Sequence, residues 1–225
     1  MWFAGAARRV PAAGRPRMLR PGFDLKPGMR VGLFGGSFNP AHAGHAHVAE
    51  TALRRLRLDR VIWLVSPQNP LKPTHETAAL TRRIFGALRY AQGPAMIVSD
   101  AETRIGSFYT IDTLRVLKAR FPGVCFVWIM GADSLASFHR WRGWTQIMRE
   151  TPVAVIARPD TAIKSRFSPA ARRFAFARIP SSAATTLACR QPPSWVYLRA
   201  PLNFTSSTAL RRSLAEGEAP LQIAS

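Results

Sequence analysis

Cysteine is nearly absent from this 225-residue chain: only Cys125 and Cys189 occur. Two cysteines without CxxC spacing leave no disulfide framework and no thiolate metal site, and they suit a reducing compartment. Acidic residues are scarce too, 12 against 32 basic ones, giving a formal net charge of +20. Lysine occurs only at Lys26, Lys72, Lys118 and Lys164, so the charge is mostly arginine, and it is spread along the chain. Biased residue usage explains such a charge without any partner. An enzyme handling several phosphates is the functional reading, and a basic RNA-binding module is the reading from a different class. Spread-out charge is weak evidence for a nucleic-acid face, so neither nucleic acid nor membrane is expected as a partner. No apolar run approaches the roughly 18 residues that span a bilayer. A soluble, cytoplasmic protein is expected. Gly-Lys-Ser/Thr phosphate loops, GxGxxG and H-E-x-x-H are missing as well.

What is present alternates. "RVGLFGG" has the form of a short buried strand ending in a turn, and "HAGHAHVAETALRRLRL" continues with helical spacing, Val48, Ala52, Leu53 and Leu56 sharing a face. "DRVIWLVSP", "AMIVSD", "GVCFVWIMGAD" and "TPVAVIARP" are further strands. Helices fall between them, over "TAALTRRIFGALRYAQ" with Thr77 as a cap and over "YTIDTLRVLKARFP" with Ile111, Leu114 and Leu117 on one side. Cys125, within "VCFVWIM", is expected in the core. This order predicts an α/β protein with a doubly wound, mostly parallel sheet covered on both faces. Ligands then sit at the carboxyl ends of the strands. Candidate residues are those just after each strand: Gly35 to His45, Ser66 to Lys72, Ser99 to Tyr109, Gly131 to Trp144, and Arg158.

The expected organisation is a basic extension over 1–29 and a single domain over 30–217. The extension, whose only acid is Asp24, resembles a transit peptide in composition, but a disordered or loosely docked segment is the reading adopted. Residues 160–193 break the alternation: "AIKSRFSPAARRFAFAR" suggests a basic helix, and the next stretch is rich in Ser, Thr, Ala and Pro. "SWVYLRA" is a last strand, and "NFTSSTALRRSLAEGE" a helix capped by Ser206 or Ser207. The sequence shows no internal repeat.

Three of the five histidines, His42, His45 and His47, cluster just past Gly35 and Gly36. The glycines let the backbone turn and approach a ligand closely, and the next helix aims its free N–H groups at that spot. His42 and His45, three apart, project to similar sides. Two imidazoles beside a helix start suit phosphate oxygens, because they donate hydrogen bonds and can become cationic. Zinc would need a third and fourth ligand, and His47 points away from the pair. Ordinary helix-start histidines are the bland alternative. In "GADSLASFHRWRGWTQI", Gly131 lets a nucleotide pass close to the backbone, Asp133 can accept hydrogen bonds, and Trp141 offers a ring for stacking. Trp144 and Ile147 are expected to be core. In "TSSTALR", three hydroxyls at a helix start followed by Arg211 form a second anion site, although one hydroxyl is explained by capping alone.

"GGSFNPAHAGH" and "SSTALR" resemble the two signatures of the HxGH nucleotidyltransferase superfamily, and "SFYTIDTL" with "GADSLASFHRWRGWTQI" resembles its bacterial nicotinate-nucleotide adenylyltransferase branch. The resemblance covers about residues 30–158 and 195–214. It departs from the pattern at Asn39, where the superfamily has Asp, and more mildly at Thr205 and Leu210. It implies a Rossmann-like nucleotidyltransferase fold and the reaction of ATP with nicotinate mononucleotide to give nicotinate adenine dinucleotide and pyrophosphate. Related acceptors, nicotinamide mononucleotide and pantetheine phosphate, are the alternatives. The resemblance also implies roles. His42, His45 and Arg211 would be catalytic. ATP would meet Gly35, Gly36, Ser37, Phe38, Gly131, Asp133, Ser206, Ser207 and Thr208 together with the catalytic three. The nicotinate nucleotide would meet Asn39, Lys72, Thr110, Asp133, Trp141 and Arg158. Mg²⁺ would accompany ATP with few protein ligands, and a homo-oligomer is allowed.

Overall fold

The computed structural model describes residues 24–67, 78–157 and 165–199. Seven strands lie in one sheet: β1 (Arg30–Gly36), β2 (Arg60–Val65), β3 (Met96–Ser99), β4 (Cys125–Gly131), β5 (Val153–Ile156), β6 (Arg178–Ile179) and β7 (Trp195–Leu198). Their order is β3-β2-β1-β4-β5-β7-β6, and every neighbouring pair is parallel. The central strands are apolar apart from their first residues because both faces of the sheet are covered. Val61 to Val65 and Val153 to Ile156, for example, are all buried.

Among the described residues are seven helices, α1 (Ala43–Arg55), α2 (Leu80–Tyr90), α3 (Ala101–Ile105), α4 (Thr110–Arg120), α5 (Ala132–Ser137), α6 (Trp144–Glu150) and α7 (Pro169–Arg173), of which α3, α5 and α6 were not expected from the sequence. A 3-10 segment runs over Ser181–Cys189. Right-handed crossovers decide which face each helix covers. From β1 to β3 the chain steps one way along the sheet, and α1 and α2 pack on one face through Val48, Ala49, Ala52 and Ala87. From β3 through β4 to β5 it steps the other way, and α3 to α6 lie on the opposite face with Ala101, Leu114, Leu135 and Ile147. The step back from β6 to β7 returns the 3-10 segment to the first face through Ala184 and Leu187. The order reverses between β1 and β4, so a crevice opens at their carboxyl ends.

Several expectations change. Thr77 lies outside the described residues, and α2 begins at Leu80 with Ala79 at the cap position and no side-chain cap. The basic helix expected after residue 162 is short. Ser168 caps α7 through a 3.3 Å bond from the Ala171 N–H, and Pro169 occupies the first helical position. A proline there starts a helix rather than continuing one. Cys125 is half-buried, because it opens β4 at the sheet's rim and faces the exposed Cys189, the two sulfurs 3.3 Å apart. Before β1, Leu25 is buried in the core and the Gly28 N–H bonds the Gly123 carbonyl at 2.8 Å.

Candidate active site

β1 delivers Gly35 and Gly36 to the crevice. Neither has a positive φ. Their missing side chains serve packing instead: a Cβ on Gly35 would lie 2.3 Å from Trp128 Cη2 on β4, and one on Gly36 would lie 3.0 Å from the Phe38 ring. The left-handed residue of the turn is Phe38, at φ 45°. Such a backbone is strained for a bulky residue and persists only when its surroundings hold it. They do: the Phe38 ring is buried, edge-on to Phe34 at 5.4 Å and tilted against Trp63 at 5.1 Å.

His42 and His45 meet on this aromatic base. His42 is the N-cap residue of α1 and is 1% exposed. His45 is at the third helical position, its ring centroid 3.8 Å from that of His42 and 5.0 Å from that of Phe38. The His42 backbone N–H donates to His45 Nδ1 at 3.3 Å. With Nδ1 accepting, a neutral His45 ring carries its proton on Nε2, which becomes its donor. α1 has no acidic residue in its first turn, so nothing there competes with an incoming anion. His47 is half-buried elsewhere on α1 and forms no ring contact with the pair.

One residue escaped the sequence reading. Arg83, on α2, is 3% exposed. Its Nε donates to the Ala78 carbonyl at 2.8 Å, Nη1 to the carbonyls of Ser37 at 2.9 Å and Ser66 at 2.6 Å, and Nη2 to that of Pro67 at 2.8 Å. Burial lowers its pKa from the ordinary arginine value, and arginine nevertheless remains charged. The available signal was its place four residues before buried Ala87, on the inward stripe of α2. Asn39 serves the same corner, its Oδ1 accepting from the Ala78 N–H at 3.4 Å.

The other wall comes from β4 and α4. Gly131 ends β4 and caps α5, whose first turn carries exposed Asp133. Trp141 is half-buried, edge-on to Phe138 at 5.3 Å and to Trp128 at 6.2 Å. Trp128 thus touches both the glycine turn and the tryptophan wall. Ile147 is fully buried and Trp144 packs against the core, as expected for both. Thr110 starts α4. The Arg142 guanidinium lies 4.5 Å from the Tyr109 ring centre, tying the Trp141 segment to the start of α4. Behind that start, Glu102 is buried and accepts from Thr113 Oγ1 at 3.4 Å. Burial pushes its carboxyl up to about 7, against the opposing effect of that hydrogen bond.

The structure therefore gathers Gly35, Gly36, Ser37, Phe38, Asn39, His42 and His45 at the end of β1. Gly131 and Asp133 lie at the end of adjacent β4. Lys72, Arg158, Ser206, Ser207, Thr208 and Arg211 lie outside the described residues.

The profile of the family described as cytidylyltransferase-like matches residues 33–213. A Caulobacter sp. (strain K31) protein named "Probable nicotinate-nucleotide adenylyltransferase" is 74% identical, over 84% of this chain and 100% of its own length. A Methylorubrum extorquens protein of the same name is 56% identical, over 81% of this chain and 99% of its own. Among solved structures, a Plasmodium falciparum nicotinic acid mononucleotide adenylyltransferase complexed with NaAD superposes with a TM-score of 0.61. It is 16% identical and covers 84% of this chain and 85% of its own, which speaks to the fold. The same Plasmodium protein complexed with APC gives a TM-score of 0.63 at 16% identity, over 87% of this chain and 88% of its own. With both signatures inside the matched span, this chain belongs to the cytidylyltransferase-like family, among its nicotinate-nucleotide adenylyltransferases.

Proposed function

We infer that the protein transfers the adenylyl group of ATP to nicotinate mononucleotide, giving nicotinate adenine dinucleotide and pyrophosphate, a step of NAD biosynthesis. The observation that carries this reading is the histidine pair at the start of α1, rings 3.8 Å apart, beside the glycine turn of β1. An oxygen of the mononucleotide phosphate attacks the α-phosphorus of ATP. The bond from that phosphorus to the α–β bridging oxygen breaks, and pyrophosphate leaves with the electron pair. No covalent enzyme intermediate is needed, so catalysis is positioning plus charge stabilisation.

His45 Nε2–H and the first N–H groups of α1 donate to the phosphate oxygens as charge grows on them. His42 shares that task. Gly35, Gly36, Ser37 and Phe38 carry the backbone past the nucleotide. Gly131 and Asp133 meet the adenosine and nicotinate nucleotide where the two join, and Thr110 and Trp141 border the nicotinate ring. Ser206, Ser207, Thr208 and Arg211 hold the triphosphate from the other side, with Lys72 and Arg158 reaching for phosphate. Among the described residues no three His, Cys, Asp or Glu side chains gather as a metal site. With Ser37, Asn39 and the two imidazoles as its polar side chains, the turn fits Mg²⁺ held mainly by phosphate oxygens and water. Mg²⁺ bound with ATP supplies charge neutralisation at the phosphates. No helix among the described residues is long and apolar enough to cross a membrane, and a cytoplasmic enzyme is the reading adopted.

Turnover with ATP on three acceptors tests the assignment. Nicotinate mononucleotide is expected to exceed nicotinamide mononucleotide and pantetheine phosphate in kcat/KM. Equal or better use of either alternative overturns the choice of acceptor.

A further inference from the structure

Arg83 presents a physical puzzle. A buried guanidinium is costly, and its four described hydrogen-bond partners are all neutral carbonyls. It also folds back toward the amino terminus of its own helix, the end at which the helix dipole disfavours a cation. A hydrophobic residue in its place would avoid both costs. Its contacts are therefore better understood by what they hold than by net stabilisation.

They hold three chain segments that the sheet alone does not fix. The ladder between β1 and β2 ends at Gly36 and Val65. The Ser66 N–H adds a bond to the Gly36 carbonyl at 3.0 Å. One residue further on, Nη1 bridges the carbonyls of Ser37 and Ser66, so the side chain forms a rung beyond the last backbone rung. Nη2 and Nε then take Pro67 and Ala78, the described residues on either side of 68–77. Because a trans peptide is planar, fixing the Ser37 carbonyl on Arg83 turns the Phe38 N–H of the same peptide to the opposite side. The strained φ of Phe38 is thus held from two directions, by ring packing on Trp63 and by Arg83 on the preceding carbonyl.

We propose that Arg83 is a positioning residue for adenylyl transfer, setting the backbone of the glycine turn through the Ser37 and Ser66 carbonyls so that ATP is held in line for attack. This rests on the reading that the turn and its histidines hold ATP.

Arg83→Lys tests it. Lysine keeps the charge but cannot span four carbonyls from a planar fork. The variant is expected to lose roughly 10- to 100-fold in kcat/KM for ATP. Its KM for nicotinate mononucleotide should move by less than about 3-fold, at a temperature where circular dichroism shows it folded. A merely structural arginine would leave the ratio of the two KM values unchanged. A folded Arg83→Lys enzyme with wild-type kcat/KM for ATP overturns the proposal. If the variant does not fold, amide exchange on the wild-type enzyme decides. Ser66, whose N–H bonds the Gly36 carbonyl beside the Arg83 contacts, is expected to exchange only with global unfolding, and fast local exchange there refutes the clamp. Loss of activity in His45→Ala alongside an unaffected Arg83→Lys would leave the ATP site standing and remove only this role.

Discussion

The two ends of the sheet are built differently. At the amino end, β1 and the start of β2 are joined by a reciprocal pair: the Arg30 N–H donates to Asp59 Oδ2 at 2.7 Å, and the Asp59 N–H returns a bond to the Arg30 carbonyl at 2.8 Å. The two thiols face each other there, and Cys125 is pushed up from its ordinary pKa, first by burial and then by Cys189. At the carboxyl end stand a left-handed phenylalanine, two imidazoles tilted against each other and a buried arginine. The strained phenylalanine, the imidazole pair and the buried arginine share one end, where ligands of doubly wound sheets bind; the other end has its own left-handed residue, Arg57 at φ 50°, but none of the candidate site residues.

The comparison is sharpened most by a pair of substitutions. His45→Ala is expected to lower kcat by about 10²-fold with little change in Tm. Asp59→Asn, at the other end, should leave kcat near wild type and lower Tm by a few degrees. Equal losses of turnover would break the division. Gly35→Ala comes next. Its Cβ would meet the ring of buried Trp128, which cannot swing away, so a stability loss of about 1–3 kcal/mol is expected by denaturant titration. Gly32→Ala meets only the methyl ends of Ile129 and Leu58 and should cost less.

Glu102→Gln is the third test. A carboxyl pushed up to about 7 keeps its proton in the folded state above the pH at which the unfolded chain loses it. Wild-type stability is therefore full at pH 4 and falls as pH rises through the window to about 7. The glutamine variant should match wild type near pH 4 and exceed it by about 1–3 kcal/mol at pH 8. A constant difference across that range would show that Glu102 does not titrate there. The smallest effect is expected for Cys189→Ser, within about 0.5 kcal/mol, because Cys189 is exposed and far from the crevice.

Much of this was legible along the chain because it is local. The apolar runs and helical spacing marked β1 to β5, α1 and α4 to within a few residues. "GGSFNPAHAGH" marked the crevice. The entry of α2 was not legible, because no capping side chain stands there: Ala78 is held by Asn39 and Arg83 instead. The basic helix after residue 162 was overstated because a proline sits at its centre.

The sequence by itself determined the alternation of strands and helices, the strand-end position of the glycine turn and the three-residue spacing of His42 and His45, since each depends on neighbours a few positions apart. Only the tertiary structure decided why Gly35 must be glycine, where Phe38 is strained and what Arg83 holds. Those answers lie in contacts between residues as much as 93 positions apart in the chain, as from Gly35 to Trp128, and no local pattern encodes which distant backbone a side chain will meet.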